Sequence, residues 1–112
     1  MIDPDSIAEI IATYTKHGWI LRRVLLSGEA RAVLGASIDR LFRNIPVTDS
    51  AIDAAWFSRQ PTGSSVAWEI RYFGSMPFAL LENIDESDPG FEGQLRAVEA
   101  RLTTAMTSKK PA

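Results

Sequence analysis

The sequence predicts a single α+β domain, with elements in the order α-β-α-β-β-β-α and a mainly antiparallel sheet. Apolar residues recur at helical spacing in three segments, and four runs of bulky or alternating residues have the pattern of strands. The last three strands are joined by short turns, which indicates a three-stranded meander. The chain has 112 residues, of which 46% are hydrophobic and 23% charged, a composition typical of one globular domain. We expect the meander and one further strand to form one sheet, with the helices packed on one of its faces.

The first helix is predicted over residues 4–17. Ser6 and Glu9 have the spacing of a capping box, and Gly18 directly after the basic residues Lys16 and His17 favours a helix end. Its apolar face is formed by residues three and four apart, namely Ile7, Ile10, Ile11 and Tyr14.

The first strand is predicted over residues 19–26 and contains two adjacent arginines, Arg22 and Arg23. Adjacent side chains in a strand point to opposite faces, so both arginines cannot reach the same solvent unless the strand lies at an edge or twists outward. At least one of them is expected to find a carboxylate. The alternative is that they bind an anion or a partner protein.

A second helix is predicted over residues 28–43, because apolar residues persist at helical spacing through this segment. The competing interpretation makes Gly28 and Glu29 a hairpin turn that leads into a strand over 30–34. A connector over 44–50 follows. The helix between the first two strands would allow a parallel crossover.

The meander is predicted from strands over 52–59, 65–73 and 77–84, with turns at 60–64 and 74–76. The last helix begins at Asp88 and Pro89. Its apolar stripe consists of Phe91, Leu95, Val98, Leu102 and Met106. The predicted domain spans residues 1–106, and residues 107–112 are expected to form a disordered polar tail.

Composition argues against several classes of function. Twelve basic and 14 acidic residues give a net charge of −2, so neither nucleic acid nor a membrane is an expected partner. The absence of cysteine excludes disulfides, thiol nucleophiles and iron–sulfur clusters, and it fits a cytoplasmic protein. No export signal or membrane span is expected from the sequence. A single histidine, His17, excludes multi-histidine metal sites, and we expect no cofactor.

Five acidic residues precede and begin the last helix, and this run has the composition of a cation site. They are Glu82, Asp85, Glu86, Asp88 and Glu92. The calcium-loop pattern fails, because a loop starting at Asp85 would place Pro89 at the fifth position and Arg96 at the twelfth. We therefore interpret the run as a solvated loop with acids at a helix N-terminus, and predict no metal site.

A candidate recognition surface lies in the meander. If Trp56 pairs with Trp68, Asp53 lies opposite Arg71, and one face of the hairpin is apolar while the other is polar. The simplest interpretation of the polar face is a solvated surface with one weak ion pair. The functional interpretation is a shallow binding surface for a ligand or partner, because aromatic residues share this face with charges. Its residues would be Asp53, Phe57, Arg59, Glu69, Arg71 and Phe73.

The leading functional hypothesis is a small cytoplasmic interaction protein that binds a partner protein or forms a homodimer through the sheet face or the stripe of the last helix. The alternative is a small-molecule binder or cofactor-free enzyme with a pocket between helices and sheet. No catalytic residue is identified, so the sequence favours a non-enzymatic role. Nucleic-acid binding would require four arginines to converge on one face: Arg22, Arg23, Arg59 and Arg71.

Overall fold

A five-stranded sheet with helices against both of its faces forms the protein. The computed structural model describes residues 2–60, 66–74 and 76–108. In chain order the elements are α1 (Pro4–Lys16), β1 (Ile20–Leu26), α2 (Gly28–Leu34), α3 (Ser37–Leu41), β2 (Val47–Asp49), β3 (Ala54–Arg59), β4 (Val66–Tyr72), β5 (Ala79–Ile84) and α4 (Phe91–Ser108). None of the helices in the described ranges combines the length and the apolar character needed to cross a bilayer.

The strand order is β2-β1-β3-β4-β5. The three successive pairs from β1 to β5 are antiparallel, and β2 pairs with β1 in parallel. The predicted α+β class, the mainly antiparallel sheet and the meander are therefore confirmed. Helices α2 and α3 form the crossover between β1 and β2. Strand β2 was not predicted, because its three residues are too few to show a period.

The helices cover both faces of the sheet, which corrects the prediction that they pack on one face. On the face called here the α4 face, Trp56 and Trp68 pack against the apolar stripe of α4. On the opposite α1 face, Phe57 packs with Ile7 of α1 and with residues of α2. Five consecutive residues of the central strand β3, from Ala54 to Ser58, are buried, so both of its faces must be covered.

The register between β3 and β4 differs from the predicted one by two residues. Trp56 pairs with Ile70 rather than Trp68, and Arg71 lies opposite Ala55 rather than Asp53. A shift of two residues leaves every side chain on the same face, so the hydrophobic pattern cannot distinguish the two registers. The turn that fixes the register was predicted at residues 60–64, of which 61–64 lie outside the described residues. The predicted turn at 74–76 likewise includes Ser75, outside them.

The helices differ from prediction at several points, although α1 begins at Pro4 as predicted. Helix α4 begins at Phe91 rather than at Asp88. Asp3 caps α1, because its carboxylate accepts a hydrogen bond from the Ser6 backbone N–H at 2.9 Å. The helix predicted over 28–43 is divided at Gly35, whose φ of +50° an L-residue rarely adopts. Helix α4 continues through Ser108, two residues into the predicted tail. The rest of that tail, residues 109–112, lies outside the described residues.

A β-bulge in β1 explains how two adjacent arginines share a face. The register with β3 shifts between Leu21 and Arg23, so that Leu21 pairs with Phe57 and Arg23 pairs with Trp56. The extra residue in the bulge is Arg22, and bulges re-aim side chains in this way. Both arginines consequently lie on the α4 face, contrary to the strict alternation used in the sequence prediction.

Candidate functional site

The α1 face of the sheet is covered on one half and open on the other. Helix α1 lies over the central strand, where the Tyr14 ring stacks on Phe57 with centroids 4.1 Å apart. On β4 and β5 the same face carries partly buried or exposed side chains. They are Glu69, Arg71, Ala79, Leu81 and Asn83. No helix in the described ranges therefore covers the α1 face of β4 and β5.

An open cleft of about 490 Å³ runs between α1 and the end of β4. Helix α1 contributes one wall, and Arg71, Phe73, Gly74 and Pro77 contribute the other. Its principal lining residues are Ser6, Glu9, Thr13, Tyr14, Arg71 and Phe73. This volume lies within the range of clefts that hold small ligands.

Tyr14, which lines this cleft, is joined to Glu69 of β4. Glu69 lies opposite Phe57 in the sheet, and Tyr14 stacks on Phe57, so the Tyr14 hydroxyl reaches the Glu69 carboxylate and donates a hydrogen bond to it. Burial raises the pKa of Tyr14, and the hydrogen bond to Glu69 raises it further. Tyr14 therefore stays protonated and acts as a donor, and the carboxylate of Glu69 is engaged.

Arg71 differs from the other partly buried arginines. Arg22, Arg23 and Arg31 each have a carboxylate oxygen within 3.2 Å. Arg71 forms no ion pair with any residue in the described ranges, and its guanidinium donates to the Tyr72 carbonyl oxygen. A cation that lines a cleft without an acidic partner is available to an external anion.

A second, smaller cleft of about 200 Å³ lies on the other side of Tyr14. The two clefts together are called the groove. The smaller cleft shares Thr13 and Tyr14 with the first cleft and is also lined by His17, Trp19 and Glu69. Beside it, the Arg59 guanidinium lies 4.6 Å from the centroid of the Trp19 ring and donates to the His17 carbonyl oxygen at 3.1 Å. These contacts hold the Arg59 side chain against Trp19 and His17, which line this smaller cleft.

The six residues of the predicted binding surface do not lie together in the structure. Phe57 and Phe73 are both buried in the core, and Phe73 also lines the cleft whereas Phe57 lies beneath Tyr14. Asp53 accepts a hydrogen bond from the Ser27 backbone N–H at 2.7 Å, which replaces the predicted pairing with Arg71. Glu69 and Arg71 lie at the groove, as described above, and Arg59 lies beside the smaller cleft.

The helical wall of the cleft was missed by the sequence analysis. Four residues of α1 line it: Ser6, Glu9, Thr13 and Tyr14. The sequence pattern predicts Tyr14 only as part of the apolar face of this helix. A signal for Tyr14 was present, because a buried tyrosine needs a partner for its hydroxyl. The position of that partner, 55 residues away in sequence, depends on the tertiary structure.

The paired arginines of β1 serve the packing of α4. Arg22 lies 4.8 Å from the Trp68 ring centroid and pairs with Glu86, whereas Arg23 pairs with Glu92 at 2.6 Å. The expectation that at least one of them finds a carboxylate is confirmed for both. Arg59 and Arg71 lie on the opposite face, so the convergence required for nucleic-acid binding does not occur.

The acidic run before α4 is divided among separate contacts. Glu82 pairs with Arg101 at 2.6 Å, and Glu86 and Glu92 pair with the arginines of β1. Asp85 and Asp88 accept hydrogen bonds from nearby backbone N–H groups. Within the described ranges no three acidic or histidine side chains are grouped so as to hold a metal ion.

The outer edge of β5 is a second exposed feature. In the described ranges β5 pairs with β4 alone. Tyr72 N donates to Phe78 O at 2.9 Å, and hydrogen-bonded pairs alternate along an antiparallel ladder. The backbone groups of Ala79, Leu81 and Asn83 therefore point to the free edge. The Leu81 side chain is 58% exposed.

Comparisons with known proteins do not identify a related protein. No family model matches the sequence, and no curated protein or solved structure matches it significantly. Functional inference therefore depends on the geometry of the groove and of the β5 edge.

Proposed function

We propose that this domain is a protein-interaction domain that assembles through β5, and that its partner is a second copy of the same chain. The observation that carries this proposal is the outer edge of β5, which has no partner strand in the described ranges and combines outward-pointing backbone groups with an exposed Leu81. Protein surfaces usually protect such edges with charges, prolines or bulges. The described residues of β5 contain none of these devices on the exposed face.

The sequence of β5 is suited to pairing with itself. In an antiparallel arrangement about a two-fold axis, Leu81 lies opposite Leu81 of the other copy, and Ala79 lies opposite Asn83. Each of these pairs joins residues whose N–H and C=O groups point outward, so each exchanges two hydrogen bonds. Strand addition of this kind is a common mode of recognition.

Charge also favours self-association. Glu82 is the charged residue of β5, and its carboxylate already has Arg101 of α4 at 2.6 Å. Two copies brought together at this edge would therefore place no unpaired like charges against each other. The stripe of α4, which the sequence analysis offered as another contact surface, is buried against the sheet and is not available.

The test is the solution mass by light scattering over a range of protein concentrations. The wild-type protein is expected to form a dimer, and Leu81→Lys is expected to raise the dissociation constant by about tenfold or more, because it places two cations opposite each other. Val33→Lys is the matched control, since Val33 is 55% exposed but lies on α2, away from β5. It should leave the dimer unchanged.

Two results would contradict the proposal. One is a wild-type monomer at every concentration, and the other is equal weakening by the Leu81 and Val33 substitutions. Circular dichroism of both variants shows whether either change disturbs the fold. The predicted cytoplasmic location belongs to the same proposal and is tested separately by cell fractionation.

A further inference from the structure

We propose that the cleft between α1 and β4 binds a small organic monocarboxylate with an apolar body, and that Arg71 binds its carboxylate. This site is independent of the β5 edge, because α1 forms one wall and Arg71, Phe73, Gly74 and Pro77 form the other. The proposal goes beyond protein interaction by assigning a ligand class to the cleft.

The first step of the argument is the state of Arg71. It is partly buried, so its charge is less well solvated than that of a fully exposed arginine. The other three partly buried arginines each have a carboxylate partner within 3.2 Å, as described above. Arg71 has none in the described ranges, and its planar guanidinium is well suited to bind a carboxylate through two hydrogen bonds.

The second step concerns Glu69, the acid nearest to Arg71 on the same strand face. Residues two apart in a strand share a face, so Glu69 is positioned to neutralise Arg71. Its carboxylate instead accepts the hydrogen bond of the Tyr14 hydroxyl. Tyr14, itself held by stacking on Phe57, thus keeps the acid engaged. The Arg71 guanidinium keeps its hydrogen bond to the Tyr72 carbonyl oxygen and has no acidic partner in the described ranges.

The third step is the chemistry of the remaining walls. Ile10, Phe73 and Pro77 provide apolar surface, and the hydroxyls of Ser6 and Thr13 provide weak polar contacts. Glu9 also lines the cleft and disfavours a second negative charge on the ligand. A single carboxylate on an apolar or aromatic body fits this lining better than a phosphate or a dicarboxylate does.

The experiment is an NMR titration of the full chain with phenylacetate, followed through the amide signals of Thr13, Phe73 and Gly74. Binding is expected in the millimolar range typical of a ligand this small. Phenylacetamide has the same shape without the charge, and it should bind about tenfold more weakly or worse. Inorganic phosphate should not perturb the same signals.

Two variants test the role of Arg71. Arg71→Gln is expected to decrease phenylacetate affinity by about tenfold or more. Its fold should be unaffected, because Arg71 forms no ion pair in the described ranges. Arg43→Gln is the matched control, since Arg43 is exposed and lies outside the cleft, and it should leave the affinity unchanged. Glu9→Gln removes a negative charge from the wall and should increase the affinity about twofold.

The proposal is overturned if phenylacetate does not perturb the cleft signals, if phenylacetamide binds equally well, or if Arg71→Gln and Arg43→Gln have the same affinity. Equal binding of phosphate would also overturn the assignment to an organic carboxylate. These measurements do not depend on the oligomeric state, so failure here leaves the proposed self-association to its own test.

Discussion

The indole Nε1 of Trp56 donates a hydrogen bond to Glu99 Oε2 at 2.8 Å, and this contact links the central strand to α4. Trp56 is fully buried, so its N–H group has no access to water. The contact adds to the apolar packing and to the ion pairs that join α4 to the sheet. Unlike apolar packing, this hydrogen bond is directional and joins one particular residue of α4 to one residue of the strand.

Glu99→Ala is expected to destabilise the protein by about 1–3 kcal/mol, because the buried indole N–H loses its acceptor. Glu99→Gln keeps an acceptor oxygen and should cost less than half as much. Urea unfolding of the two variants measures the difference. A Glu99→Ala variant as stable as the wild type would show that the hydrogen bond contributes nothing to folding.

Asp53→Ala is expected to cost about 1–3 kcal/mol, because the Ser27 N–H at the start of α2 loses its carboxylate acceptor. Asp53→Asn retains an acceptor and should lie closer to the wild type. Urea denaturation provides the free energies of unfolding. If both variants matched the wild type, the Asp53 side chain would have no structural role, and a binding role for it would regain support.

Gly35→Ala is expected to destabilise the protein by about 1–3 kcal/mol, because its φ of +50° and ψ of −126° are strained for an L-residue. Gly28→Ala is the control, since a Cβ at Gly28 meets no atom within 4 Å. That change should be neutral or stabilise the protein by about 0.4–1 kcal/mol. Thermal unfolding of both variants tests the pair. A neutral Gly35→Ala would mean that the break between α2 and α3 is not enforced by backbone conformation.

The ion pair between Arg23 and Glu92 predicts a dependence of stability on pH. The hydrogen bond from Arg23 lowers the pKa of Glu92 below its ordinary value of 4.5. Because the folded-state pKa is depressed, the contribution is present above about pH 4.5 and is lost as pH falls through the folded-state value. Wild-type stability should therefore decrease through this acidic range.

Arg23→Gln removes the partner and should reduce that decrease, whereas the exposed Arg43→Gln should not. The measurement is the urea midpoint of the wild type and both variants at about pH 6 and about pH 3. Parallel changes in all three proteins would show that Glu92 does not contribute to acid sensitivity. Because the carboxylate is exposed, salt should weaken the effect.

The sequence was a good guide to the kind and order of the larger elements. The spacing of Ile7, Ile10, Ile11 and Tyr14 predicted α1, and the alternating runs predicted the meander, because these periods reflect which side of an element is buried. It was a poorer guide to register. Pairing Trp56 with Trp68 or with Ile70 buries the same side chains, so local pattern cannot choose between them.

The candidate site was predictable only in part. Glu69 and Arg71 were identified as exposed charges beside aromatic residues, and both lie at the groove. The open face was predicted, but α1 covers half of it, so Phe57 and Phe73 became core residues. Which strand lies at the edge of the sheet and which helix lies beside it depend on contacts between residues far apart in the chain. These contacts place α1 beside the end of β4 at the cleft, and in the described ranges they leave the outer edge of β5 without a partner strand.

The sequence by itself determined the α+β class, the meander and the scarcity of catalytic residue types, since each follows from local periodicity or composition. Only the tertiary structure decided that helices cover both faces, that a bulge turns Arg22 and Arg23 to one side, and that Tyr14 engages Glu69. The physical reason is that these features join residues far apart in the chain. Their free energies depend on packing and charge pairing in three dimensions, and no local pattern records them.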